Sequence, residues 1–219
     1  MNSKLIKMIA EGEHQRQDFK YCINDSRKIA RSMVAFSNAD GGRLLLGIRD
    51  NGSVAGVKSD EEYYMAEAAA KLYSKPPVNF QTKQWLIEGK TVLEIAISKS
   101  AEAPHFAQND EGKWLVYIRK EDQNIVVPGI LLKVWEQQKN PQGVFIRFSD
   151  EEKRLLTLLD SEQHLSLNQF TRKAKLPKWK GEKLLVKLIV VGIVGMDISE
   201  NGTRFFLRDD FENLYKAIL

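Results

Sequence analysis

Between Ala30 and Gly52 the chain leaves itself few ways to fold. Ala30, Val34 and Ser37 recur at helical spacing, and Gly41-Gly42 follows at once. Glycine reaches the left-handed conformation that ends a helix without steric cost. Leu44-Leu45-Leu46 is too short and too apolar for a surface helix, so it is expected as a buried central strand. Asp50-Asn51-Gly52 then closes the segment with a tight turn, because Asn and Gly tolerate positive φ. The order is helix, break, strand, turn.

The flanking segments supply more of both element types. A short helix is expected over residues 3–10 and a strand over 18–23, with Asp25 or Ser26 capping a helix that reaches Ala39. Ser59 or Asp60 opens another helix to about Tyr73, before Pro76-Pro77. Residues 78–87 and 91–98 alternate about Glu88-Gly89-Lys90 as a hairpin. Residues 114–119 make a further strand, and Pro128 suits the first turn of a helix running to about Gln138. Strands and helices in mixed order indicate an α+β domain with a mixed sheet over residues 1–138. The polar stretch from Glu136 to Gly143, with Pro141, is where the domain boundary is expected.

Beyond it the pattern changes. Ser149 and Glu152 form a capping box ahead of Leu155-Leu156 and Leu158-Leu159. Ser166 caps a short helix over 167–174, and a third helix runs from Lys178 to Val191. Residues 193–199 and 203–207 flank Glu200-Asn201-Gly202 as a hairpin. Three helices and a hairpin over 149–219 resemble a small winged helix-turn-helix domain. Its charge is lopsided: Arg172, Lys173, Lys175, Lys178, Lys180, Lys183 and Lys187 stand against Glu182. Leu184, Leu185, Leu188 and Val191 take the apolar stripe, which turns Lys180, Lys183 and Lys187 toward the other face. In a helix-turn-helix this is the helix that enters a major groove, where lysines neutralise phosphates. Arg204 follows the hairpin turn, where a wing approaches the backbone. Trp85, Trp114, Trp135 and Trp179 read as core or half-buried anchors. Trp179, between Lys178 and Lys180, has neighbours suited to a base, but the core reading is preferred for it too.

Composition narrows the function classes. A hydrophobic content of 43% and a charged content of 28% are ordinary for a folded soluble protein. No apolar run approaches the roughly 20 residues needed to cross a bilayer. The first residues lack the apolar run and cleavage site of a secretory signal, so a cytoplasmic protein without a membrane role is expected. Cys22 is the one cysteine, which excludes an intramolecular disulfide and any multi-cysteine zinc site. The histidines, 14, 105 and 164, lack metal-site spacing. Asp40-Gly41-Gly42 invites a phosphate-loop reading, yet no Gly-x-x-x-x-Gly-Lys-Ser/Thr motif occurs, and a helix-to-strand turn explains the glycines.

Three blocks carry a family resemblance: Asp18-Phe19-Lys20, then Ala35-Phe36-Ser37-Asn38-Ala39-Asp40-Gly41-Gly42 running into Gly47–Gly52, and Tyr117-Ile118-Arg119 with Asn124 downstream. Together they resemble the Schlafen-type Alba-like domain, a module associated with nucleic-acid binding. The resemblance spans residues 11 to 136, and Asp18 stands where the family pattern has Glu. It implies a nucleic-acid role. Lys20, on its strand, is placed either to face a phosphate or to serve as a plain strand lysine, and Tyr117 and Arg119, two apart on one strand face, suit either stacking on and pairing with nucleic acid or a sheet-surface pair. It also implies an alternative, metal-dependent ribonuclease chemistry through Glu13, Asp18 and Asp50, since carboxylate oxygens suit hard divalent ions. The favoured reading is a nucleic-acid-binding protein of the transcriptional-regulator kind, with DNA preferred over RNA. A homodimer would suit a two-fold site, though the sequence does not fix the oligomeric state, and no cofactor is expected unless the nuclease alternative brings a divalent metal.

Overall fold

The computed structural model describes residues 3–57, 59–140, 143 and 148–208. Pro141 and Gln142 of the expected boundary, and residues 209–219 of the expected C-terminal domain, lie outside them. The chain is α+β and divides into two compact units, residues 1–127 and 128–219.

The first unit runs α1 (Ser3–Glu11), β1 (Gln17–Lys20), α2 (Ser26–Asn38), β2 (Gly42–Leu46), α3 (Glu61–Lys71), β3 (Ser74–Lys75), β4 (Phe80–Ile87), β5 (Lys90–Ile97), β6 (Phe106–Gln108), β7 (Trp114–Lys120) and β8 (Gln123–Val126). One sheet has the order β1-β2-β5-β4, with β1 and β2 parallel and the other pairs antiparallel. The second, wholly antiparallel, has the order β3-β6-β7-β8. Asp25 caps α2 by accepting from the Arg27 N–H at 2.8 Å, which satisfies one of the free donors at the helix start.

α2 is the hub. From Met33 to Asn38 it is buried on all sides, because Leu44, Leu46, Leu93, Ile95 and Ile97 of the first sheet and Ala107 and Tyr117 of the second enclose it in one core. The opposite face of the first sheet is closed by α1, whose Leu5 and Met8 pack with Phe19, Leu45, Trp85 and Val92. With both faces covered, β2 reads as an unbroken leucine run rather than an alternation.

The glycine pair has a packing cause. Gly41 takes φ +70° with the Ile97 carbonyl against it, and a Cβ on Gly42 would overlap the buried Phe36 ring. The strands β3, β6 and β8 are too short or too polar to have been anticipated.

The second unit contains α4 (Gly129–Gln138), α5 (Asp150–Glu162), α6 (Leu167–Ala174), α7 (Lys178–Val190), β9 (Val194–Ser199) and β10 (Gly202–Leu207). Ser149 and Glu152 close the expected capping box on α5, and Ser166 with Gln169 makes a second on α6. The core joins Leu155, Leu156, Leu159, Phe170, Leu184, Leu185, Leu188 and Phe205. Leu165 and Phe205 exchange backbone hydrogen bonds of 3.0 and 2.8 Å, adding a one-residue bridge beside the β9–β10 hairpin. The sequence reading put α4 in the first domain. Here Ile130 and Val134 join the second core, and the division falls between Val127 and Pro128 rather than near Gln138.

Candidate nucleic-acid interface

α6 and α7 approach closely because Gly181 faces Phe170 and Thr171, where a Cβ would overlap Thr171 Cγ2. This contact fixes α7 with Gly181, Leu184, Leu185 and Leu188 inward. The basic residues then sort themselves. Lys173 pairs with Glu162, and Lys180 with Glu151. Arg172, Lys175, Lys178 and Lys183 are exposed and have no ion pair with another described residue; Lys187 is half-buried. Glu182, the acid inside the basic run, is held by Lys133 of α4 at 2.7 Å.

Arg204 is exposed on β10, just past the hairpin turn. It shares a groove of about 660 Å³ with Lys178, bordered by Asn168 at the start of α6 and Asn201 in the turn. The fold therefore brings together two predicted binding residues that lie 26 positions apart, the difference between 204 and 178.

Trp179 departs from expectation. Instead of anchoring the core it is 66% exposed, one position into α7. Its place outside the Leu184-Leu185-Leu188 stripe, and its lysine neighbours, were the sequence signals for this.

The acids and the Arg119 block lie in the first unit. Glu13 Oε1 accepts from the Phe19 N–H at 2.8 Å, and its carboxyl neighbours that of Asp18. Burial, then Asp18, raises the Glu13 pKa above its ordinary value, against the lowering pull of the Phe19 N–H and Lys20. Asp18 is 3% exposed and already satisfied: Lys20 Nζ lies 2.9 Å from Oδ2, Arg119 Nη2 3.5 Å from Oδ1, and the Ser32 hydroxyl donates at 3.4 Å. Asp50 sits apart on the exposed turn after β2. Among the described residues no three His, Cys, Asp or Glu side chains gather where they could hold a metal ion. The donor set that the ribonuclease alternative requires thus does not fit a divalent ion. Two of its carboxyls meet, two cations occupy one of them, and the third stands elsewhere.

Arg119 corrects a second expectation. It is 3% exposed, so it offers nothing to an external phosphate. Its guanidinium lies over the Phe36 ring, 5.1 Å from the centroid. It donates to the carbonyls of His14, Gln17 and Glu121 and to Asn124 Oδ1, and Asn124 in turn donates to Ser32. Lys20 is spent mainly on Asp18 and the Phe19 carbonyl. Tyr117 shares the inward face with Arg119, and burial pushes its phenol pKa up.

Residues 13–128 match the family described as Schlafen, AlbA_2. The chain belongs to the Schlafen AlbA_2 family. The match ends at the division between the two units, so it covers the first unit from residue 13 onward and leaves both α1 and α4 outside it. Among solved structures, the DIP2311 protein from Corynebacterium diphtheriae is similar at 16% identity and TM-score 0.43, over 73% of this chain and 39% of that one. The chain thus spans under two-fifths of that protein's length. The N-terminal domain of a protein from Nitrosomonas europaea, described as related to the ATP-dependent DNA helicase RecG, is similar at 20% identity and TM-score 0.40, over 59% of this chain and 97% of that one. No curated protein matches the chain. Among the described residues no helix is long and apolar enough to cross a membrane.

Proposed function

We propose that this protein binds nucleic acid through its C-terminal unit, read as a winged helix-turn-helix, and acts as a DNA-binding transcriptional regulator. The observation that carries this reading is the pairing pattern of the basic residues. Glutamates take Lys173 and Lys180, while Arg172, Lys175, Lys178, Lys183 and Arg204 keep exposed charge along α6, the following turn, α7 and the hairpin. Three helices leading into a hairpin, with the Leu165–Phe205 bridge beside it, support the winged-helix reading. In such a unit α7 is the helix offered to the major groove, and Arg204 sits where a wing meets the backbone. The Alba-like resemblance of the first unit points to the same class of partner.

Phosphate contacts give affinity that falls steeply with salt and depends little on sequence. Lys178→Ala with Lys183→Ala should weaken DNA binding to a similar degree for every sequence and lower the salt slope by roughly 1 per lost contact. Fluorescence anisotropy at several salt concentrations measures both. An unchanged affinity and slope would remove α7 from the interface.

A further inference from the structure

We propose that the C-terminal unit prefers nucleic acid with unpaired bases, and that Trp179 is the platform on which one base stacks. The inference rests on the nucleic-acid reading above and differs from it in one respect: the exposed face of α7, offered there to a duplex groove, is assigned to a strand with free bases.

An indole is among the largest apolar surfaces a side chain can present, and a folded chain usually buries most of it. Trp179 is 66% exposed although a well-packed core of leucines lies on the other side of the same helix. Among the described residues no aromatic ring pairs with it and no cation covers it. Its neighbours are cations. Lys178 precedes it, Lys183 follows one turn later on the same helical face, and Lys175 stands in the turn before α7. All three are exposed and without an ion pair among the described residues.

An open aromatic face among free cations matches the chemistry of a single strand, whose bases stack while its phosphates are neutralised. An intact duplex offers much less to such a ring. Its base faces are already stacked on one another, and its major groove presents only base edges and a thymine methyl. The indole supplies one N–H donor and no acceptor to read those edges. Stacking requires a base that is already free or can be turned out.

Anisotropy titrations of the full chain against four probes of equal length test this: oligothymidine, the same backbone without bases, a duplex, and oligouridine. Trp179→Ala should lose roughly fivefold to a hundredfold in affinity for oligothymidine, with the abasic strand and the duplex changed by less than about twofold. Trp179→Phe should keep most of the affinity, because it keeps a stacking face. Tighter binding of oligouridine would name RNA as the natural strand, and of oligothymidine DNA; either supports the stacking role. An equal loss on the abasic strand, or no loss at all, would overturn it and leave the lysine-based reading standing. Binding of none of the probes by the unaltered protein would overturn the nucleic-acid reading itself, and this inference with it.

Discussion

Asn38 ties α2 to the second sheet, and its replacement has a calculable and pH-dependent cost. Its Nδ2 donates to the carbonyls of His105 and Tyr117, both at 2.9 Å, and its Oδ1 accepts from the His105 N–H at 2.8 Å. The side chain is buried, so water cannot replace it. Asn38→Ala leaves two acceptors and one donor behind. An unsatisfied buried group costs about 1–3 kcal/mol, with carbonyls toward the lower end, so a loss of about 3 kcal/mol is expected. Asn38→Asp is the sharper test. It keeps the acceptor for His105 N–H but aims a carboxylate oxygen at two carbonyl oxygens.

Protonation restores one donor, which raises the folded-state pKa of this new carboxyl above the ordinary value of about 3.9. For a raised acid, stability is fully present below the unfolded pKa and is lost as the pH rises through the folded one. The penalty of Asn38→Asp should therefore exceed that of Asn38→Ala near pH 7 and shrink toward about pH 4, whereas the alanine penalty stays level. Guanidinium titrations of the parent and the two variants at both pH values measure it. A cost below about 1 kcal/mol for alanine, or an aspartate penalty that does not shrink in acid, would refute the assigned hydrogen bonds.

Two further outcomes follow from the first unit. Because Glu13 carries a raised pKa, Glu13→Gln should make the protein more stable than the parent at neutral pH, and the gain should vanish below the ordinary value of 4.5, as paired thermal melts will register. Residues 1–127 hold both cores of the AlbA_2 unit, so that fragment should melt cooperatively, while extension to residue 138 should add no stability and promote self-association by baring Ile130 and Val134. Calorimetry and sedimentation distinguish the two fragments, and a non-cooperative melt of 1–127 would show that the units share their stability.

Elements whose information is local were legible in the chain. The Asp25 and Ser149 caps, the Gly41-Gly42 break and the Glu88-Gly89 turn each depend on neighbours within a few positions, and each forms as expected. Assignments that depend on distant partners were not. Pro128 and the amphipathic run after it announce α4, but nothing nearby says that its apolar face meets α7 rather than the strands before it. Trp179 failed for a related reason. Hydrophobicity argued for burial, while its helical phase, set by Gly181 against Phe170, turned it outward.

The family blocks behave in a way that separates recognition from chemistry. Asp18, Asn38, Arg119 and Asn124 are the polar residues that make the pattern distinctive, and they interlock inside the first unit with Ser32 and with backbone carbonyls. A buried polar group must find its partner or destabilise the fold, which ties such residues to one another across the chain. That coupling makes the blocks diagnostic of the fold while leaving them little capacity to meet a ligand. Residues free to do so are under no such constraint: Trp179, Lys178, Lys183 and Arg204 lie outside the family match, on an exposed face whose identity depends on charge and shape. A motif read from sequence therefore located the architecture here. The proposed interface also begins from a charge run visible in the sequence, and the fold adds which of those charges stay exposed while Glu162 and Glu151 take Lys173 and Lys180.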